Sequence, residues 1–497
     1  MYAAILVCSM ALTSCEGFVN AVLGVEDNPV ETTVQKEPTI EEWLAQIPGV
    51  SDVEIRKTTV TELTPTQQTY YYFFFDQLVD HTDASKGKFK QRVVLRYKDA
   101  DAVNVLHTQG YATWENPDTL TMMMPRLANI LEGNMIEVEY RYFGHSLPEP
   151  FENLEFNYLR SSQASEDYHA IVQALKGSGR FKGQWLSTGT SKSGIATALY
   201  AYYSSKKGYS DIDLYVPFCA PFCEAVDDSR IGKYMTERCT KDADMQKLPD
   251  IDRAIVGNTE LSNYLISEYK KTWAPRPDDD ILAYYANSSR VTLFDKMASL
   301  HVNDYKDYIP NPTDVTKFAY TKFFIERSAM EVMMYIDLYL KSGTRALTEA
   351  EMLNLRKADP GWAYYIQAML ELGHFRLTFD DLETYCKGTT VDKIKAVNEE
   401  GMVFKQYPTY AARFSNAMTK DFIENFLPST TMPMIFVYGE NDPWTGCAIP
   451  DPTNSKVQKI IVPKGIHNDY INMENLYPKE TRQQIMDAIY KYIKVKK

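Results

Sequence analysis

The sequence predicts an α/β protein with a mainly parallel sheet, helices on both faces of that sheet, and a large helical insertion. Short apolar runs alternate with amphipathic stretches between residues 70 and 216, and this alternation returns after residue 428. A turn rich in glycine and serine separates a strand from a helix near residue 190. Between residues 217 and 428, strand signals are scarce and helical periodicity dominates.

The elements are justified in chain order by these patterns. Helices are expected over 40–47, 161–176, 195–204, 323–340, 361–372 and 480–495. Strands are expected over 70–75, 92–97, 103–106, 135–140, 184–187, 213–216, 434–438 and 457–462. Helices lie between the later strands, which favours parallel pairing with crossover connections.

The turn at 189–194 reads G-T-S-K-S-G and places Ser191 between the strand and the helix. A serine there is pushed above the sheet edge, next to the N–H groups of a helix N-terminus. The usual pattern is G-x-S-x-G, and Ser193 replaces its second glycine. Ser191 alone would also suit an ordinary helix N-cap.

Two further residues follow in the order that an α/β-hydrolase fold requires. Asp442 follows the strand at 434–438, and His467 follows the next strand, 25 residues after Asp442. The sequence therefore predicts a catalytic triad of Ser191, Asp442 and His467 on this fold. Lys192 as a base is disfavoured, because the residue after such a serine normally points away and a histidine is available.

An oxyanion hole needs two N–H donors. The backbone N–H of Lys192 is the first candidate, because it follows the nucleophile directly. The loop after the strand at 103–106 should supply the second, from Gly110 or Tyr111. Gly110 would also suit any tight turn.

Several segments resemble one group of serine peptidases. They read F-D-Q-L-V-D-H at 75–81, G-K-F-K-Q-R at 87–92, E-Y-R-Y-F-G-H-S at 139–146, Y-L-R-S-S-Q-A at 158–164, G-T-S-K at 189–192 and D-P-W at 442–444. The group includes lysosomal Pro-X carboxypeptidase, dipeptidyl peptidase II and secreted bacterial tripeptidyl or prolyl aminopeptidases, the last being the nearer likeness. The matches cover about residues 70–215 and 430–470. The resemblance implies a serine exopeptidase that acts on peptides, often near proline.

Substrate-binding residues are expected near the catalytic loops. Trp114 and Trp444 are candidates for the wall of a proline-sized apolar pocket. The free ammonium group of a peptide needs carboxylates, and the candidates are Glu115, Glu224, Asp227 and Asp228. Structural roles are expected for the remaining polar residues of the matched segments, Arg141, His81 and His145.

The N-terminus predicts export. Residues 1–15 resemble a signal peptide that ends in the lipobox-like L-T-S-C, with Cys15 as the lipidated residue. A plain signal peptide is the competing interpretation. Residues 16–39 are expected to form a flexible tether, followed by the first part of the catalytic core (40–216), a helical lid (217–428) and the second part of the core (429–497). The expected location is the bacterial cell envelope, either lipid-anchored or secreted.

Composition limits the partners. The chain has 497 residues and a net charge of −13, which argues against nucleic acid and gives no basic patch for a membrane surface. Only the lipid anchor is expected to contact a membrane. No cofactor and no metal are expected, and the oligomeric state stays open, a homodimer included. In an exported protein, a disulfide between Cys219 and Cys223 or between Cys223 and Cys239 would close a short loop, and the sequence does not decide the pairing.

Two other functions share these features. A surface esterase or lipase would use the same triad on an ester. A lipoprotein that binds peptides or glycans without catalysis would retain only the scaffold. The complete set of serine, aspartate and histidine argues against the second of these.

Overall fold

Nine strands form one sheet in the computed structural model, which describes residues 38–60, 66–117, 127–150, 154–241, 256–257, 259–272, 276–299, 362–384, 389–400, 407–468 and 479–495. The strands are β1 Val50–Val60, β2 Thr66–Leu78, β3 Lys88–Arg96, β4 Asn104–Thr108, β5 Asn134–Val138, β6 Trp185–Thr190, β7 Leu214–Phe218, β8 Met434–Gly439 and β9 Val457–Val462. Their order is β1-β2-β3-β5-β4-β6-β7-β8-β9. The pairs β1–β2, β2–β3 and β3–β5 are antiparallel, and the remaining pairs are parallel. The predicted lipidation site Cys15 and the helix expected over 323–340 lie outside the described residues.

Helices cover the sheet and fill the insertion. They are α1 Ile40–Leu44, α2 Leu127–Ile130, α3 Ser161–Gly177, α4 Lys192–Lys207, α5 Ser229–Lys241, α6 Thr259–Thr272, α7 Asp278–Ser299, α8 Trp362–Gln367, α9 Thr389–Glu400, α10 Pro408–Ala411, α11 Ala417–Asp421, α12 Leu427–Ser429 and α13 Lys479–Tyr490. π-helical turns follow α8 at Ala368–Leu372 and α11 at Phe422–Phe426. Among the described residues, no helix is long and apolar enough to cross a membrane.

The central strands are buried because both faces of the sheet are covered. β4, β5, β7 and β8 are buried at every position. One core contains Tyr168 of α3, Leu199 of α4 and Phe436 of β8. A second core contains Ile435 of β8 and Ile489 of α13, and a third lies mainly among the helices between β7 and β8. The predicted strands of the parallel region therefore appear in the sheet with small shifts at their ends.

The sequence patterns did not predict β1. Within the residues that the structure describes, this strand pairs only with β2, and most of its described side chains are exposed or half-buried. An edge strand in this position needs no continuous apolar run, so its polar sequence carries no strong strand signal. The described residues between β7 and β8 are mainly helical, while the boundaries of the proposed lid stay a prediction.

A buried ion pair joins the N-terminal strands to α3. Arg141 and Asp167 are fully buried, and the guanidinium Nε and Nη2 atoms donate to the two carboxylate oxygens at 2.8 and 2.7 Å. Arg141 also donates to the carbonyl groups of Leu78, Val79 and Tyr158. The predicted structural role of Arg141 is confirmed by these contacts.

Replacing Arg141 with methionine is expected to lower the free energy of unfolding by about 3–5 kcal/mol, because Asp167 would stay buried without its guanidinium partner. Urea denaturation followed by tryptophan fluorescence measures the change. The exposed pair between Lys90 and Asp76 offers a control, and Lys90→Met should cost about 0–1 kcal/mol. A loss below about 1 kcal/mol for Arg141→Met, with an unchanged denaturant slope, would contradict the expectation.

Candidate active site

Ser191 lies in a strained turn between β6 and α4. Its backbone angles are φ 61° and ψ −126°, a conformation that non-glycine residues rarely adopt. Its N–H donates to the carbonyl of Phe218 at the end of β7. The turn is so tight that a Cβ at Gly189 would lie 2.5 Å from the Ser193 carbonyl carbon, so only glycine fits position 189. This geometry exposes the Ser191 side chain at the carboxyl edge of the sheet.

Asp442 and His467 form a hydrogen-bonded pair at the same edge. His467 Nδ1 lies 2.7 Å from Asp442 Oδ2, and the second carboxylate oxygen accepts the Trp444 N–H at 3.0 Å. Asp442 is fully buried, whereas the His467 side chain is 17% exposed. The carboxylate therefore holds the imidazole in one orientation, with Nε2 directed away from Asp442.

Neighbouring strands bring the three predicted triad residues to one region. Ser191 follows β6, Asp442 follows β8 and His467 follows β9, and β7 lies between the first two of these strands. Cys219, at the end of β7, has its Sγ within 4.8 Å of ligand atoms of both Asp442 and His467. Among the described residues, no hydrogen bond joins the Ser191 hydroxyl to His467. Such bonds are often long before substrate binds.

The loop after β4 approaches the start of α4 closely. The Gly110 N–H donates to Ser193 Oγ at 2.8 Å and to Gln109 Oε1 at 2.9 Å. Because this N–H is already hydrogen-bonded, Gly110 is not available as the second oxyanion donor, contrary to its place among the two candidates. Within the described part of the chain, no hydrogen bond takes up the Tyr111 N–H, so Tyr111 is the better of the two candidates. A Cβ at Gly110 would lie 2.8 Å from the Ser193 nitrogen, which explains the glycine.

The Lys192 side chain is buried beneath this loop rather than directed at Ser191. Its Nζ donates to the Gly110 carbonyl oxygen. The same atom lies 3.5 Å from the Tyr140 ring centroid and 4.7 Å from that of Phe143. Burial lowers the pKa of the Lys192 ammonium group well below its ordinary value, opposed by the charge of Glu371.

Aromatic rings extend from the loop after β4 to His467. We call this set the aromatic wall, and it consists of Tyr111, Tyr364, His374, Phe375 and Trp444. Successive ring centroids are 6.0, 5.9, 4.6 and 5.3 Å apart, and the Trp444 ring lies 6.2 Å from that of His467. Burial lowers the pKa of His374 to about 4, so its ring is uncharged near neutral pH. The wall is therefore an uncharged surface beside His467.

Three residues of the aromatic wall come from the insertion and were missed by sequence reasoning. Tyr364, His374 and Phe375 lie within residues 362–384, where no motif marks them. Trp444 was predicted beside the site, and the structure places it there. Trp114 is 43% exposed, and no ring contact joins it to the other aromatic residues of the described chain.

The acidic candidates differ in how far they are already paired. Glu115 accepts hydrogen bonds from Arg56 at 2.9 Å, Arg92 at 2.6 Å and His145 at 2.8 Å. Burial raises the pKa of Glu115, but the hydrogen bond from Arg56, the charge of Arg92 and the hydrogen bond from His145 outweigh burial and lower its pKa overall. Both of its carboxylate oxygens have partners, an arrangement that disfavours Glu115 as a binder of a substrate ammonium group.

The carboxylates at the start of the insertion lie close to the aromatic wall. Asp228 is buried and accepts several hydrogen bonds from Arg230, so its carboxylate already has a cationic partner. Glu224 pairs through Oε1 with Arg230 and keeps 41% of its side chain exposed. Backbone hydrogen bonds join residues 225 and 228 to His374, which places Glu224 near the wall.

The cysteines of the described residues form no disulfide. Cys219, Cys223, Cys239 and Cys447 are buried, and neither of the two short loops that a Cys223 disulfide would close is present. The tertiary structure instead brings Cys223 close to Cys447, and with Asp228 they offer three ligand atoms within 4.8 Å of one another. Asp228 is already committed to Arg230, which leaves this group poorly suited to a cation.

The fold is an α/β-hydrolase fold, as predicted, because the strand order places a strained serine turn and a buried aspartate bonded to a histidine at one edge of the sheet. These features define a serine hydrolase. The chain belongs to the PS-10 peptidase S37 family, whose model matches residues 34–286, and it is a serine peptidase.

One curated relative is a prolyl tri/tetrapeptidyl aminopeptidase of Streptomyces mobaraensis. It is 27% identical over 412 residues, which cover 82% of this chain and 75% of the relative. Among solved structures, epoxide hydrolase A of Mycobacterium thermoresistibile matches 89% of this chain and 100% of its own, with 13% identity and a TM-score of 0.32. An esterase of Pyrobaculum calidifontis matches 88% of this chain and 84% of its own, with 11% identity and a TM-score of 0.32.

Proposed function

We propose that this serine peptidase is an exported exopeptidase that releases short peptides from free N-termini and prefers to cleave near proline. The observation that carries the proposal is the aromatic wall beside His467, which offers flat uncharged surface to a prolyl ring. The printed activity of the Streptomyces relative supports the same class of substrate.

In the proposed reaction, Ser191 Oγ attacks the scissile carbonyl carbon while His467 Nε2 takes the hydroxyl proton. Asp442 holds the imidazole and stabilises its positive charge. The tetrahedral intermediate collapses when His467 returns the proton to the leaving amine, which breaks the C–N bond and leaves an acyl ester on Ser191. Water, activated by the same histidine, then hydrolyses the ester and restores the enzyme.

Negative charge on the carbonyl oxygen would be stabilised by the backbone N–H groups of Lys192 and Tyr111. Lys192 begins α4, so its N–H has no partner within the helix. The helix N-terminus adds a positive partial charge at the same place. These two donors come from adjacent loops, after β6 and after β4, and β6 and β4 are neighbours in the sheet.

Recognition of a free N-terminus needs a carboxylate at a fixed distance from the scissile bond. We assign this role to Glu224, because it stays partly exposed and its loop is bonded to the His374 segment of the aromatic wall. Export and lipidation at Cys15 belong to the same proposal and are supported by the sequence of residues 1–15. Peptides are the proposed partners.

The deciding experiment is a digest of a mixed peptide set with free and acetylated N-termini, read by mass spectrometry. Wild-type protein should release N-terminal fragments from the free peptides only, and the fragment lengths give the number of residues removed per cut. Trimming from the C-terminus instead would overturn the aminopeptidase assignment. Hydrolysis of simple esters without any peptide cleavage would favour an esterase.

A paired variant tests the role of the aromatic wall in specificity. Trp444→Ala should lower kcat/KM for peptides cleaved beside proline at least about tenfold more than for matched alanine peptides. Tyr490 is an exposed aromatic residue on α13, and Tyr490→Ala serves as the control. An equal loss for both peptide series would show that Trp444 supports the catalytic loop without selecting proline.

A further inference from the structure

The loop after β4 is fastened to the start of α4 at two points, one on each side of Gly110. Ser193 Oγ accepts the Gly110 N–H at 2.8 Å. Lys192 Nζ donates to the Gly110 carbonyl oxygen. The two residues that follow the proposed nucleophile thus hold both polar groups of one residue in the loop that supplies the second oxyanion donor.

This attachment determines the direction of the Tyr111 N–H. The Gly110 carbonyl and the Tyr111 N–H belong to the same peptide unit, and in a planar trans peptide they point in opposite directions. Because Lys192 Nζ binds the carbonyl from one side, the Tyr111 N–H is directed to the other. It has no hydrogen-bond partner within the residues that the structure describes, so it is available to a ligand.

The burial of Lys192 indicates that the hydrogen bond from its Nζ to the Gly110 carbonyl is needed to offset the cost of burying the amine. The residue is 2% exposed, and among the described residues no carboxylate forms an ion pair with its Nζ. Burying an amine in this way is costly unless it makes strong contacts. The Tyr140 and Phe143 rings and the Gly110 carbonyl supply those contacts. Both the charged and the neutral amine can donate an N–H to a carbonyl, so the contact survives loss of the proton.

The contacts of Ser193 explain why a serine replaces the second glycine of the usual G-x-S-x-G pattern. Its hydroxyl also donates to Gln109 Oε1 at 3.2 Å, and its own carbonyl accepts the Thr108 hydroxyl at 3.0 Å. Glycine at position 193 would leave the Gly110 N–H with Gln109 alone. Ser193 therefore adds a hydrogen bond between the serine turn and the loop after β4, which a glycine at this position cannot make.

We infer that the Lys192 and Ser193 side chains are positioning residues, which together fix the Gly110–Tyr111 peptide so that the Tyr111 N–H faces the reacting carbonyl oxygen. The inference rests on the proposed role of Ser191 as nucleophile. The side chains touch no substrate atom, and they act through the oxyanion donor. Their loss should affect the transition state more than substrate binding.

The test compares Lys192→Met and Ser193→Ala with Ser204→Ala, which removes a buried hydroxyl near the far end of α4. Lys192→Met should lower kcat about 100-fold and Ser193→Ala about tenfold, with KM within about twofold of the wild-type value. Affinity for a peptide aldehyde, which forms an oxyanion with the serine, should fall in parallel with kcat. Affinity for a product peptide should not change, and Ser204→Ala should match wild type.

Thermal unfolding by circular dichroism shows which variants are folded. If Lys192→Met fails to fold, Ser193→Ala decides the question. Folded variants with unchanged kcat and unchanged aldehyde affinity would overturn the inference, as would a rise in KM alone. Two further assays depend on the same oxyanion hole: the rate of p-nitrophenyl acetate hydrolysis and the rate of labelling by a fluorophosphonate. These two assays still test the inference if the wild-type protein cleaves no peptide, a result that would refute only the proposed function.

Discussion

Ser191→Ala is expected to lower kcat for peptide cleavage by about a million-fold, because it removes the hydroxyl that forms the acyl ester, and the nearby Ser193 hydroxyl is already bonded to Gly110 and Gln109. Steady-state cleavage of a fluorogenic peptide measures the loss. A fluorophosphonate probe should label the wild-type protein at Ser191 and leave the variant unlabelled. Binding of a product peptide should persist in the variant, since the change removes one oxygen atom and leaves the pocket in place.

Ser205→Ala is the matched control for this substitution. Ser205 lies on α4 as well, but it is exposed at the opposite end of the helix. The Ser205→Ala variant should cleave peptides and react with the probe as the wild-type protein does. Retained labelling in Ser191→Ala would identify a different nucleophile and remove the basis of the proposed mechanism.

Asp442→Asn is expected to lower kcat about ten-thousand-fold with little change in structure. The Trp444 N–H would keep the amide oxygen at the Oδ1 position, which turns the amide NH₂ group toward His467 Nδ1. An amide donor there forces the imidazole proton onto Nε2, and Nε2 can then no longer accept the Ser191 proton. The loss should appear in kcat and in the rate of probe labelling, while KM changes little.

Asp451→Asn controls for removing a carboxylate from the same part of the chain. Asp451 pairs with Lys459 and its side chain is 97% exposed, so its loss should be neutral within error. A fall of less than about tenfold in Asp442→Asn would indicate that Asp442 does not orient the base.

Strands buried on both faces were the most predictable part of the fold. The runs around Val216 and Ile435 are apolar at nearly every position, since the sheet interior excludes water on both sides. β1 was missed because it is an edge strand with one neighbour and mostly polar side chains. The end of the helix predicted over 361–372 was found as a π-helical turn, a local change that periodicity does not reveal.

Residues of the candidate site were predictable where the chemistry depends on order along the chain. Ser191, Asp442 and His467 each follow a strand, and parallel strands bring such positions to one edge. The choice between Gly110 and Tyr111 was not predictable, because it depends on which N–H is taken by Ser193. The state of the cysteines was not predictable, since short spacing along the chain does not orient two thiols toward each other, and Cys223 lies beside Cys447 instead.

The sequence by itself determined the alternation of strands and helices, the serine turn and the order of the triad, because these follow from local periodicity and from residue types at strand ends. Only the tertiary structure decided what lies around the triad. The insertion brings Tyr364, His374 and Phe375 against Trp444, and the fold turns the Lys192 side chain onto the Gly110 carbonyl. These contacts join residues far apart in the chain, and their geometry arises from packing that no local pattern encodes.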